Sequence, residues 1–552
     1  MTTTLRGALA TAFLAALAVA PAASRAQDQA PDNWFNLDPG ADGVAGVSTE
    51  RVYRDLLAGK QGQTVVVAII DSGVDPEHED LKDVMWVNED EIPGNGIDDD
   101  GNGYVDDIHG WNFIGGKDGR NVGPDSYEAS RVYAKLRREW AGRDTVKLSK
   151  RERREFERYK TVRDLVEGKR ATMQRRLGEY EGMLQGLQRL QAELGDEFTL
   201  EQLAAYEPAN EMEEGAVKLL SRVMAGGASA ADVAEQLEGA VEYFGNAANY
   251  GWNPDFDPRA DIVKDNYADS YEIGYGNNDV KGPDASHGTH VAGIVAAIRG
   301  NGVGMDGVAD NVRIMSLRAV PDGDERDKDV ANAIRYAADN GASVINMSFG
   351  KGYSWDKEAV DKAVKYAEKK DVLLVHAAGN SSENTDVSDN FPVDTYERKG
   401  PLKFLKKKSP DNWLEIGALS WKPGEDAVAR FSNYGKTNVD IFSPGVDIYS
   451  TTPDQGYDSF SGTSMASPVT AGVAAVLRSY FPELDAEDVK EIILDSGTPQ
   501  QGRMVKLPGS DELVPFESLS VTGKTVNAYD AVRLAQRRTG RTGGVSGSDP
   551  RA

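Results

Sequence analysis

Apolar positions along the chain follow three patterns. The first is an unbroken run, Val65–Ile70. A strand exposed on one face alternates apolar and polar residues, whereas a continuous run marks a strand covered on both faces, as in parallel sheets. Arg313–Val320, Ser343–Met347 and Val372–Val375 read as further strands, and 327–340 and 355–370 carry helical spacing between them. This alternation predicts an α/β fold with a mostly parallel sheet and right-handed crossovers. The second pattern is a pair of helices dense in small residues, one opened by His287–Gly293 and one by Phe460–Pro468 with the apolar run Val469–Leu477 behind it. The third covers 125–258 and reads as helical throughout. Met173, Leu177, Tyr180, Leu184, Leu187, Gln191 and Leu194 alternate steps of four and three, a coiled-coil-like seam. Gly195 suits the helix end, and Thr199–Gln202 reads as a capping box with Phe198 stapled onto Leu203. Gly178, Gly182 and Gly186 line one face, each costing about 1 kcal/mol against Ala. That cost predicts a partner helix in close approach, and Arg131–Arg170 is the expected partner in a helical hairpin.

The patterns divide the chain. Residues 1–26 read as a signal peptide: Arg6 starts it, Ala8–Ala20 is too short for a bilayer-spanning helix, and Ser24-Arg25-Ala26 suits cleavage after Ala26. Residues 27–60 form an N-terminal extension with a helix over Thr49–Leu57. The α/β domain is split into 61–124 and 259–538 around the helical insertion 125–258, and 539–552 is a Gly/Ser-rich tail expected to be disordered. Export to the periplasm or beyond follows from the leader, and no other stretch could span a membrane.

Charge and composition narrow the partners. Net charge is −27 over 552 residues, which argues against nucleic acid. There is no cysteine, hence no disulfide, thiol nucleophile, thiolate metal site or lipoprotein anchor. Within 131–170, however, 15 Lys/Arg stand against 7 Asp/Glu, a local net of +8. Three readings stay open for that segment: a solvated helical face docked on the acidic body, a recognition arm for a protein or an anionic surface, or an inserted folding or inhibitory module.

The candidate chemistry sits at element ends. Ser464 lies where a helix begins, among orphan N–H groups that favour negative charge. An ordinary N-cap serine looks the same, so a nucleophile needs a base, an orienting group and a second oxyanion donor elsewhere. Asp71 closes the run Val65–Ile70, His287 opens a small-residue helix, and Asn380 follows the run Val372–Val375. Asp71-Ser72-Gly73, His287-Gly288-Thr289-His290, Ala377-Ala378-Gly379-Asn380 and Gly462-Thr463-Ser464-Met465-Ala466 resemble, in order, the four signature blocks of the subtilases, the subtilisin-like serine proteases. The resemblance covers roughly 60–125 and 259–538, and 125–258 departs from it. It implies a subtilisin-like three-layer fold carrying an added helical subdomain, with Asp71, His287 and Ser464 catalytic and Asn380 in the oxyanion hole. It also implies a substrate-binding strand end at Ser348, Phe349 and Gly350, although Phe349 fits a plain core residue equally well. His290 is expected to be a packed structural histidine. Subtilases commonly carry a longer N-terminal prodomain than the segment between Ala26 and the first strand, so either folding is unaided or another segment serves it.

One further stretch could bind a cation. Asp98, Asp100, Asn102, the Tyr104 carbonyl and Asp106 have the alternating spacing of a calcium loop, with Gly103 at the sharp turn. The twelfth position is His109 rather than Glu, so this is no EF-hand, and a solvated acidic turn is the plain alternative. Similar acidic loops occur in some subtilases, which implies a structural calcium. The whole reads as a secreted endopeptidase acting on proteins or peptides. Its rivals are a non-catalytic binding protein on the same fold, using the helical insertion as its working surface, and an esterase.

Overall fold

The computed structural model describes residues 30–398 and 407–541. The expected leader, much of the basic stretch Lys403–Lys408 and most of the expected tail lie outside the described residues. Two compact units are distinguished: one holds Ala129–Phe256, the other Ala30–Glu128 with the chain from Asp257 onward.

The larger unit is built on a nine-stranded sheet. Its strands in chain order are β1 (Val65–Asp71), β2 (Gly110–Asn112), β3 (Val312–Arg318), β4 (Ala342–Met347), β5 (Leu373–Ala377), β6 (Trp413–Leu419), β7 (Ile441–Pro444), β10 (Thr498–Pro499) and β13 (Lys524–Thr525). The intervening β8 (Ile448–Thr452) pairs with β9 (Gly456–Phe460), and β11 (Met504–Lys506) pairs with β12 (Leu513–Pro515), as separate hairpins. Across the sheet the order is β10-β13-β7-β6-β5-β4-β1-β3-β2, parallel except for β10 with β13. Both faces are covered, as the apolar runs predict. Val65, Val67 and Ile69 enter a core shared with the helices Ser286–Ala296, Thr463–Tyr480, Ala486–Ser496 and Ala528–Arg538. Ala68 and Ile70 enter the opposite core, with Asp327–Asp339 and Lys357–Lys369. The chain passes from β1 to β3 on one side and returns to β4 on the other, so a crevice opens beyond the carboxyl end of β1.

The helical pattern differs from expectation in two ways. Thr49–Arg51 is a single α turn that continues as a π turn over Val52–Leu56 rather than one regular helix. In the smaller unit Lys150–Leu194 is one continuous helix, about 67 Å long at 1.5 Å per residue. Residues 150–170 therefore cannot fold back as the partner of the seam that follows them. The helices Glu211–Ala225 and Ala230–Asn246 do so instead, burying Leu187 and Leu190 against Leu220, Val223, Val233 and Leu237. Gly178 and Gly182 face open space, so no close helix explains them. The local signals hold: Thr199 and Gln202 form a reciprocal capping box, and Phe198 and Leu203 are both buried beside it.

Candidate active site

Three strand ends and two helix starts meet at the crevice. Asp71 is the last residue of β1, and its side chain is buried. Asp71 Oδ1 accepts the Ser72 N–H at 2.7 Å and lies 2.7 Å from His287 Nδ1. His287 is the second residue of its helix, and that helix can approach because Gly288 follows. A Cβ at Gly288 would overlap the Gly73 carbonyl and stand 3.1 Å from Asp71 Cβ. The Nδ1–H tautomer that donates to Asp71 leaves Nε2 free to accept a proton. Burial disfavours the imidazolium, but the charge of Asp71, its hydrogen bond and then Asp284 outweigh that and raise the His287 pKa. His290, one turn on, behaves oppositely. Its Nε2 faces the Ile448 and Asp458 carbonyls at 2.9 and 3.1 Å, its ring stacks on Phe460, and burial pushes its pKa down to about 3. It stays neutral, as a packed histidine should.

Every residue of the helix Thr463–Tyr480 is buried except Ser464 and Arg478. Pro468 lies inside it and has no N–H to give the Ser464 carbonyl. Ser348, just past β4, fills that position: its Oγ donates to the Ser464 carbonyl at 2.8 Å. Ser464 Oγ donates in return to the Ser348 carbonyl at 3.2 Å, and no hydrogen bond joins it to His287. Phe349 points into the core beneath, and Gly350 is exposed.

The helix start also presents one unused donor. Thr463 N–H is taken by Asn380 Oδ1 at 2.9 Å, and Met465 and Ala466 N–H reach the Gly462 carbonyl. Ser464 N–H has no acceptor among the described residues. Asn380 is anchored through its oxygen alone, which also accepts from Thr463 Oγ1 at 2.9 Å. Its Nδ2 is thereby turned toward Gly462, 3.3 Å from where a Cβ there would lie, and that Cβ position is 3.5 Å from Ser464 N. Two free N–H donors thus flank one small space. Reading the sequence for reactive groups missed the residues that arrange this: Thr463, which aims Asn380, and Ser348 Oγ, which props the helix. Pro468 was the available signal for the second, since a proline that far into a helix strips one carbonyl of its partner.

The acidic loop is arranged differently from its spacing. The Asp98 carboxylate accepts the Asn102 and Gly103 N–H groups, and that of Asp106 accepts those of Asn95 and Gly96. Both shape the turn. Asn102 Oδ1 accepts the Tyr104 N–H, and the Tyr104 ring packs on Trp111 and Tyr336. The carboxylates that gather, with oxygens within 4.8 Å of one another, are Glu91, Asp100 and Asp107. Glu91 and Asp107 are buried and Asp100 exposed, and none has an ion-pair partner among the described residues. Burial raises the Asp107 carboxyl despite hydrogen bonds from Tyr336, Asn88 and Asn102. Such an all-oxygen set of hard ligands suits calcium in kind, and a cation would offset the cost of packing the three together.

The subtilase family model matches residues 62–511 of this chain. A thermophilic serine proteinase from Bacillus sp. (strain AK1) is 43% identical over 195 residues, which are 35% of this chain and 43% of that protein. Subtilisin DY from Bacillus licheniformis is 37% identical over 216 residues, 38% of this chain and 70% of its own length. Thermitase from Thermoactinomyces vulgaris is 37% identical over 194 residues, 35% of this chain and 61% of that protein. The chain thus spans less than two thirds of two of these relatives. Asp71, His287, Asn380 and Ser464 all lie within the 62–511 that the family model matches. The chain belongs to the subtilase family.

Proposed function

We propose that this chain is a secreted serine endopeptidase that cleaves protein substrates through an acyl intermediate on Ser464. His287 Nε2 takes the Ser464 Oγ proton as the Oγ–carbon bond forms. Asn380 Nδ2 and the Ser464 N–H hold the oxygen of the tetrahedral carbon. His287 then returns the proton to the leaving amine as the carbon–nitrogen bond breaks, and water reverses the sequence to free the acid. Asp71 keeps Nδ1 protonated and stabilises the imidazolium. The reading is supported by the 2.7 Å Asp71–His287 pair, which lines one crevice with Ser348, whose carbonyl accepts from Ser464 Oγ. A fluorophosphonate probe tests it. Labelling confined to Ser464 and lost in His287→Ala is expected; an unlabelled wild-type protein would sink the proposal.

One observation favours the rival, a non-catalytic binding protein: Ser464 Oγ donates to the Ser348 carbonyl and not to His287. Rotation about a single side-chain bond redirects a hydroxyl, and such bonds tighten when substrate enters. The probe separates the two readings.

Removing the Asn380 donor should leave substrate affinity nearly intact and lower turnover. For Asn380→Ala a loss of about 10²–10³ in kcat is expected, a magnitude that belongs to subtilisin and is carried over to this chain. A large rise in KM with normal kcat would remove Asn380 from the role.

The proposal extends to a structural calcium held by Glu91, Asp100 and Asp107, with the turn built by Asp98, Asn102, Tyr104 and Asp106 shaping the approach. At a calcium concentration one hundred times the Kd the ion would add about 2.7 kcal/mol to stability. Thermal unfolding should therefore occur at lower temperature with a chelator than with calcium, and Asp107→Asn should abolish the difference. Identical midpoints for the wild type in both would exclude the ion. We further propose 125–258 as a helical insertion between 61–124 and 259–538, its basic segment 131–170 available to a protein or anionic-surface partner. Export rests on the leader pattern in 1–26; among the described residues no helix is long and apolar enough to cross a membrane.

A further inference from the structure

Beside Ser464, one polar side chain lies between the two strand ends that follow β4 and β5. β4 and β5 are parallel neighbours with Met347 opposite His376, and both end within a residue of that pair. Ser348–Gly350 leaves one strand and Ala378–Asn380 the other, so a gap opens between them. Around a carbonyl carbon attacked by Ser464 Oγ the directions are allotted. The oxygen points to Asn380 Nδ2 and the Ser464 N–H, and the leaving nitrogen points to His287, on the β1 side. The remaining substituent, the α-carbon with its side chain, is left facing the gap between β4 and β5.

Asn390 occupies the floor of that gap. Its Nδ2 donates to the Ala377 and Ala378 carbonyls at 3.3 and 3.2 Å. The next residue, Phe391, is tied to Lys351 by two backbone hydrogen bonds of 2.8 and 3.0 Å. The carboxamide is thus held to the β5 wall, and the backbone of the next residue to the β4 wall. A Cβ at Gly350 would overlap Asn390 Oδ1 and stand 2.6 Å from Nδ2 and 2.8 Å from Cγ; one at Gly379 would lie 3.3 Å from Nδ2. Gly350 has no left-handed φ, so space rather than backbone geometry excludes a side chain there.

Resting on the peptidase reading above, we infer that Asn390 shortens this crevice, so that the residue donating the scissile carbonyl must be small: alanine, serine or glycine. A leucine or phenylalanine side chain would have to displace a carboxamide held by two hydrogen bonds. The test uses matched peptide p-nitroanilides that differ only in having Ala, Leu or Phe before the cleaved bond, with fluorophosphonate titration of Ser464 alongside. The wild type should prefer Ala to Phe by about tenfold or more in kcat/KM, and Asn390→Gly should raise the Phe-to-Ala ratio by about the same factor. Asn390→Ser should raise it less, and it decides the matter by the same ratio if Asn390→Gly does not fold. Overturning results are a wild type that takes Phe as readily as Ala, or a titratable variant with an unchanged ratio. A labelled enzyme that prefers Phe sinks the crevice alone, whereas an unlabelled one sinks the peptidase reading and this inference with it.

Discussion

Ser464→Ala is expected to lower kcat by about 10⁶, again a subtilisin magnitude carried over, while leaving substrate binding nearly unchanged. The substitution removes the nucleophile and little else. The Ser464 N–H remains at the helix start, and the Ser348 Oγ bond to the 464 carbonyl does not involve the lost hydroxyl. Only the 3.2 Å bond from Ser464 Oγ to the Ser348 carbonyl disappears, and that carbonyl lies beside an open crevice where water can replace it. His287→Ala should cost about as much, and the double variant no more than either, because base and nucleophile act as one unit. Activity should stay about 10³–10⁴ above water through the two oxyanion donors and binding. Steady-state kinetics of the two single variants and the double decide it. Additive losses, or a Ser464→Ala protein with more than about a hundredth of wild-type kcat, would mean that Ser464 is not the nucleophile.

Asp71→Asn should cut kcat by about 10⁴, since an amide in that position favours the wrong tautomer of His287. It should also move the pH profile. The base must be neutral to act, and Asp71 is the main group raising its pKa. In the wild type the acid limb of kcat/KM should therefore lie above the ordinary histidine value of about 6.5, and in Asp71→Asn it should move to lower pH. Stability carries the same sign. A raised folded pKa makes a contribution that is fully present below about pH 6.5 and lost as pH rises through the folded value. Profiles of kcat/KM against pH for both proteins check this. An acid limb that stays put in Asp71→Asn would show that another group titrates there.

Much of this could be read from local pattern. The run Val65–Ile70 announces a strand buried on both faces, and it is one, because a side chain every second residue on alternate faces makes burial visible in sequence. Thr199 and Gln202 announce their capping box for the same reason: both partners sit within one turn. The acidic loop was legible only in part. Its alternating carboxylates look like one coordination sphere, yet the oxygens gathered within 4.8 Å of one another belong to Asp100 together with Glu91 and Asp107, two residues outside the spaced motif. Spacing within a loop does not say which oxygens the turn itself will use. The seam from Met173 to Leu194 was sound as an apolar stripe, but a stripe does not name its partner.

What the sequence by itself determined is the set of elements and the chemistry at their ends: strands, helices, and a carboxylate, an imidazole, an amide and a hydroxyl at four termini. These follow from periodicity and turn residues, which act over a few positions. The tertiary structure alone decided which donors stay unpaired, that Thr463 aims Asn380, that Ser348 stands in for the N–H that Pro468 lacks, and that Asn390 lies against Gly350. Each of these depends on residues about 40 to 120 positions apart, and only the closing of the sheet brings such residues within reach of one another.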